Sequence, residues 1–375
     1  MKNPIIKISL CLVCSISVVV VLFAISREKT HKDNGFYRLF PPHPVTRAKA
    51  IDLKFNSYYF AGSDNSRVYL SNVTAPLHLL SVNLPNLDTT HIRLSVEDQS
   101  STEFRQGTRV TVLSPYFYIA DGIAPWLMRG TLGKWSARRF MYDTAYFNRA
   151  VPIGPKSFVL KTMSSQTRQR ILAKATDISP YVKLVPGLLE KQIDGIFCTD
   201  GKLYYNKDLA QVVYVYDYRN QFIVMDTTLN LLFRGNTIDT TTRVKIKTAS
   251  LYSGKTKQLA APPFLVNKTC ATSGDYLFVH SNLMAKNENV ETFRNTVVID
   301  VYHLKNNTYE FSFYIQPYKN YKLSHFYVAD NYLVAIHGQY LVVYNMHLDS
   351  FRKDRSVLAQ NERERSSMLK HILSR

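Results

Sequence analysis

Apolar and polar positions fall into two regimes along this chain. The first is one uncharged run of 18 residues, Ile8 to Ile25. As a helix it spans about 27 Å, enough to cross a bilayer core. We expect a transmembrane signal-anchor over residues 8–25, behind a cytoplasmic N-terminus at residues 1–7. A cleaved signal peptide is the rival reading. It carries a shorter apolar core and a small-residue cleavage site, and Ala24-Ile25-Ser26 matches such a site only weakly. Lys2 and Lys7 before the run are nearly balanced by Arg27, Lys29 and Lys32 after it, so the charge asymmetry alone does not orient it. A domain that follows an N-terminal anchor is normally placed outside, and that orientation is expected here.

The second regime starts near Asp52. Short aromatic and β-branched runs are separated by Asp, Asn and Gly turns, and the same arrangement returns along the chain. It occurs at Ser57–Ser71, Tyr116–Gly122, Val151–Leu160, Gly195–Tyr205, Gly274–Val279 and Phe326–Ala335. Asp-Gly and Asp-Asn between apolar runs are hairpin signals. Residues 212–233 read as three consecutive antiparallel strands, and residues 296–314 as another pair. Hairpins that follow one another without helices exclude a βαβ layout and a parallel sheet.

This pattern predicts an all-β fold, a six-bladed β-propeller preceded by one N-terminal transmembrane helix. Residues 52–346 divide into six units of about 49 residues, the size of a four-stranded blade with its loops. The units fall near 52–105, 106–148, 149–190, 191–258, 259–317 and 318–350. Seven blades is the alternative count. A pair of packed sheets is the alternative architecture, but it does not predict the recurrence. The last unit is one strand short, and the N-terminal strand of the domain, near residues 50–55, is expected to fill the gap. Residues 26–50, with Pro41-Pro42-His43-Pro44, read as a linker. The propeller is expected over 51–350. Residues 351–375 read as a charged, partly helical tail, and a helix there is a candidate for partner binding.

Charge narrows the partners. The net charge is +19, from 47 basic and 28 acidic residues. Such an excess favours anionic partners: an acidic protein, an anionic surface or an acidic glycan. Nucleic acid is disfavoured by the exported location. The basic residues are spread out, with local concentrations at 134–149 and 352–375.

Cysteines and histidines offer little chemistry. Cys11 and Cys14 lie inside the apolar run and read as small apolar residues. Cys198 and Cys270 either pair as a disulfide in an oxidising compartment or stand as two buried thiols; the second reading is preferred. No H-x-H or H-E-x-x-H string occurs, and no cofactor or metal is expected. His280, His325 and His337 sit at strand ends in the last third and can approach one another near the axis, but three isolated, satisfied histidines is the preferred reading. Asp64, Asp121, Asp200, Asp275 and Asp330 fall in turns, where local hydrogen bonding accounts for them. Three N-x-S/T strings, at Asn72, Asn267 and Asn307, occur at a frequency chance explains. The best candidate contact surface is residues 130–142. There Lys134, Trp135, Arg138 and Arg139 join an aromatic ring to three cations, the residue types enriched at binding hot spots; the preferred alternative is an outer blade strand with snorkelling side chains.

The recurring strand units, and Tyr58-Tyr-Phe-Ala-Gly62 followed by Val68-Tyr-Leu-Ser-Asn72, resemble an uncharacterised family of bacterial membrane-anchored, TolB-like six-bladed propellers. The resemblance covers roughly residues 50–350 and rests on structural motifs. It implies a single-pass protein of the bacterial inner membrane with its main domain in the periplasm. That family's association with redox membrane proteins of the methylamine-utilisation type implies a place in a membrane complex. It carries no site residue. The expected function is a protein-interaction or scaffold module whose partner is another membrane or envelope protein. A hydrolase using the channel mouth and a binder of an acidic envelope glycan are the alternatives.

Overall fold

The computed structural model describes residues 10–23, 35–97, 104, 107–141, 145–251 and 256–347. Residues 10–23 form a helix, α1. Among the described residues no helix is long and apolar enough to cross a membrane. The expected span over 8–25 is therefore not shown: α1 rises about 21 Å, and both ends of the span lie outside the described residues. The tail at 351–375 lies outside them as well.

The rest is a six-bladed β-propeller. The first strand of the domain is β1 (Val45–Asp52), and it belongs to the last blade. Blade 1 contains β2 (Tyr58–Asp64), β3 (Arg67–Asn72), β4 (His78–Asn83) and β5 (Thr89–Arg93). After the short β6 (Ser95–Val96), blade 2 contains β7 (Arg109–Leu113), β8 (Tyr116–Asp121), β9 (Trp126–Thr131) and β10 (Ser136–Met141), and β6 extends its outer edge. Blade 3 is built from β11 (Phe147–Gly154), β12 (Ser157–Met163), β13 (Arg170–Thr176) and β14 (Val182–Val185). Blade 4 is built from β15 (Gly201–Asn206), β16 (Gln211–Tyr216), β17 (Gln221–Met225) and β18 (Leu231–Asn236). A separate hairpin, β19 (Thr248–Leu251) and β20 (Thr256–Leu259), leads to blade 5. That blade contains β21 (Asn267–Ser273), β22 (Tyr276–Ser281), β23 (Val297–His303) and β24 (Thr308–Ile315). The short helix α2 (Val290–Asn295) is inserted between β22 and β23. Blade 6 contains β25 (Leu323–Ala329), β26 (Tyr332–His337) and β27 (Tyr340–Met346), and β1 completes it.

The closing strand confirms the expected shortfall in the last unit. It pairs antiparallel with β27, with Ile51 opposite Leu341. It begins at Val45, inside the stretch read as linker and ahead of the residues 50–55 expected to close the ring. The reason is local: β1 is an outer strand with mostly solvent-facing side chains, so Val-Thr-Arg-Ala-Lys-Ala-Ile-Asp carries little apolar signal. Upstream of it, Phe36 and Arg38 are buried against blade 5.

Each blade interface holds its own apolar cluster, from blade 1 against blade 2 round to blade 6 against blade 1. Packing on both faces explains why the inner two or three strands of a blade read as continuous apolar runs. Val212-Val-Tyr-Val-Tyr216 is buried throughout. Tight turns join the strands. Asn65 and Ser66, between β2 and β3, both take positive φ, as a two-residue type I′ hairpin requires.

Candidate functional site: a basic axial mouth

The innermost strands are β2, β7, β11, β15, β21 and β25, and each touches the next around the axis. They run in the same direction, so their first residues gather at one mouth of the channel. Tyr59, Arg109, Arg149, Lys202, Lys268 and His325 all lie within the first three positions of these strands. Four of the six blades thus bring a Lys or Arg side chain to the same end, and a fifth brings His325.

Contacts around this ring follow from its charge. The Arg109 guanidinium lies over the Tyr59 ring, 5.3 Å from its centroid. Burial and, to a lesser degree, Arg109 depress the Arg149 pKa, while the Tyr59 and Tyr204 hydroxyls oppose this. Lys202 is held by the Asp217 carboxylate. Burial nevertheless raises the Asp217 pKa, with Lys202 pulling against it. Behind the ring, Asp200 accepts from Lys161 at 2.8 Å and from Arg170. Burial disfavours the Asp200 charge, yet these two cations hold its carboxyl below the usual range. The local acids are thus already engaged. No ion pair is formed by Arg149 or Lys268 among the described residues.

A cavity of about 570 Å³ opens beside the ring, between blades 4, 5 and 6. Lys202, Lys268, Arg294 and Lys322 line it, with His280 and His325, and among the described residues no carboxylate does. The segment carrying α2 forms one wall. Asn289 caps this helix by accepting from the Glu291 and Thr292 amides at 2.8 and 3.1 Å. The Lys322 ammonium donates to the Arg294 carbonyl, which ties the wall to blade 6. Burial, then Lys268 and the neighbouring cations, lowers the His280 pKa to about 3. Burial and then Lys202 lower that of His325, and burial and then Lys322 lower that of Lys268. Among the described residues the cavity's lining is net positive, with only Lys202 paired to a carboxylate.

The sequence candidates are divided by the structure. Lys134, Arg138 and Arg139 are exposed on the turn and outer strand of blade 2. Trp135 is turned inward at a positive φ of 56°. Its ring packs on Phe117 and Tyr69, with centroids 5.8 and 6.0 Å apart, in the interface between blades 1 and 2. The partly buried Trp135 ring thus packs into the blade interface while the three cations stay exposed. Cys198 and Cys270 are buried free thiols. Cys198 Sγ donates to the Asp194 carbonyl, and burial pushes the Cys270 thiol up to about 12. The disulfide left open in the sequence is not formed. Of the three histidines, His280 and His325 share the cavity. His337 is separate, with Nδ1 2.9 Å from the Tyr321 carbonyl and Nε2 3.3 Å from the Tyr344 hydroxyl. Among the described residues no three metal-ligating side chains of the His, Cys, Asp and Glu types cluster.

The basic ring escaped the sequence reading because its members lie one per blade, separated by whole repeat units. Alignment of the units on their first strand is the signal that reveals them.

No protein-family model and no curated protein matches the chain. Solved structures do. The chain is similar to a member of the duf4221 family from Bacteroides vulgatus, with a TM-score of 0.51 and 14% identity over 82% of this chain and 99% of that one. It is also similar to a virginiamycin B lyase from Staphylococcus aureus, with a TM-score of 0.45 and 11% identity over 81% of this chain and 100% of that one. A third is BamB from Moraxella catarrhalis, with a TM-score of 0.40 and 11% identity over 80% of this chain and 100% of that one. At 14% identity the first likeness establishes a shared propeller fold and nothing about chemistry.

Proposed function

We propose that this protein is a membrane-anchored binding module on the outer side of a bacterial inner membrane. Its propeller receives an acidic surface of another membrane or envelope protein at the basic axial mouth. The convergence of Arg109, Arg149, Lys202 and Lys268 on one end of the inner strands carries this reading. A mouth lined with one sign of charge focuses the field and draws in the opposite charge. The anchor is supported by the uncharged run Ile8–Ile25. It is supported also by the apolar side chains that α1 exposes all around, from Leu10 to Phe23, as on a helix solvated by lipid.

Capture of the full-length protein from native membranes after mild crosslinking tests the assignment. The expected result is a reproducible envelope protein with an acidic surface. It is lost when Arg149 and Lys268 are changed to Glu, and it is weakened by added salt. Retention of the same partner by the Arg149→Glu/Lys268→Glu variant would overturn the mouth as its site. Binding of a polyuronate by the purified protein, with no protein captured, would move the assignment to an acidic glycan.

A further inference from the structure

We infer that the cavity between blades 4, 5 and 6 is a binding site for a phosphoryl group carried on a small organic molecule. This goes beyond the protein-binding reading and does not need it, although Lys202, Lys268 and His325 belong both to the ring and to the cavity wall. Lys268, Arg294 and Lys322 line it with no carboxylate among the described residues of its wall, and Lys202 adds a fourth charge shared with Asp217. A single carboxylate leaves most of this charge unmatched. A phosphomonoester, with a charge of about −1.5 to −2 and three acceptor oxygens, matches it better. The donor-bearing residues also come from separate elements: Arg294 from α2, Lys268 and Thr269 from β21, Ser281 from β22 and Lys322 from the approach to β25.

A second observation points to a missing partner. Among the described residues the buried Nδ1 atom of His280 has no hydrogen-bond partner, although its ring lines the cavity. Buried polar atoms are rarely left unsatisfied, and one that is calls for a ligand or water. The cavity volume of about 570 Å³ lies in the range of small-molecule sites, well beyond the needs of a lone phosphate. Phe293, Val298 and Leu323 supply an apolar wall for the organic part.

Calorimetry on the full-length protein in non-ionic detergent tests this, with glycerol 3-phosphate and pyrophosphate as probes and sulfate as the control anion. Both phosphoryl probes are expected to bind more tightly than sulfate. Lys268→Met and Arg294→Met should each weaken them about tenfold, the loss of one charge-assisted hydrogen bond. Both side chains reach solvent at the cavity's rim, Lys268 with its ammonium partly desolvated, and thermal melting of each variant checks that it is folded. Lys134→Met, on the far side of blade 2, should leave binding unchanged. Sulfate binding as tightly as the phosphoryl probes, or affinities untouched in both variants, would overturn the site. Two further arms separate the sources of the phosphoryl group. Displacement of glycerol 3-phosphate by phosphatidic acid vesicles assigns a lipid headgroup, and indifference to those vesicles assigns a soluble phosphoester. Because no partner protein is present, failure here leaves the protein-binding reading to its own test.

Discussion

Arg38 grips Asp300 with two parallel hydrogen bonds, Nε to Oδ1 at 2.7 Å and Nη2 to Oδ2 at 3.0 Å. Both side chains are buried. The same guanidinium meets the Glu288 carboxylate and donates to the Leu283 carbonyl at 2.8 Å. Asp300 lies in the third strand of blade 5, and Glu288 in the insertion that forms a wall of the cavity. The segment ahead of β1 is therefore locked to blade 5, while β1 itself completes blade 6. The Ser312 amide, donating to the Leu39 carbonyl at 2.7 Å, continues the seam.

Removing this arginine leaves two buried carboxylates unmatched. Arg38→Ala should cost about 3–5 kcal/mol, the usual penalty for breaking a buried pair by deleting one partner. Arg38→Lys should recover only part of it, because an ammonium lacks the planar fork that meets both Asp300 oxygens. Urea unfolding of the three proteins measures both. A loss below 1 kcal/mol for Arg38→Ala, roughly that of an exposed pair, would show that the seam is not formed.

Gly62 sets the spacing between blades 1 and 2. It has a φ of 151°, and a Cβ added there would stand 2.2 Å from the Val112 carbonyl oxygen. Val112 is on the neighbouring inner strand, so its backbone has no slack to yield. We expect Gly62→Ala to destabilise by roughly 2–4 kcal/mol through overpacking and strain. Thermal unfolding checks this, and a melting temperature equal to that of the parent contradicts the close approach.

Trp135 tests whether the residues 130–142 work as a contact surface or as packing. With its ring against Phe117 and Tyr69, Trp135→Ala should lower stability by about 2–3 kcal/mol, less than for a fully enclosed ring. It should leave glycerol 3-phosphate and partner binding at the mouth unchanged. Loss of binding with unchanged stability would restore the surface reading.

These residues also mark what the sequence made legible. The blades could be read because their middle strands are buried on both faces, giving dense runs such as Tyr276-Leu-Phe-Val279 between turn residues. The outer strand β1 could not be placed to the residue, since solvent covers most of it and polar side chains satisfy it. Trp135 was visible as an aromatic beside cations, but the positive φ that folds it inward is a property of the turn and not of composition. The ring of Arg109, Arg149, Lys202 and Lys268 is a product of closure: each is an ordinary basic residue until six strands meet at one axis.

His280 gives the fold a defined acid sensitivity. Its pKa falls from the ordinary 6.5 to about 3 through burial, reinforced by Lys268, Lys202 and Lys322. Between those values the unfolded chain binds a proton that the folded chain refuses. This contribution to stability is therefore complete above pH 6.5 and is lost as the pH falls toward 3, with a limiting slope of about 1.4 kcal/mol per pH unit. His325 and His337 act in the same direction, since their pKa values are lowered as well. The buried carboxyls of Asp217 and Asp239 act in the opposite direction, because burial raises theirs. The wild-type curve alone thus mixes signs, and the informative quantity is its difference from His280→Gln, which stays neutral throughout. Measured by urea unfolding from pH 7 to pH 4, the wild type should lose stability relative to the variant as the pH drops. Saturating glycerol 3-phosphate should shrink the difference, because a bound anion stabilises the protonated ring. Parallel curves without ligand would mean that the imidazole is not held neutral.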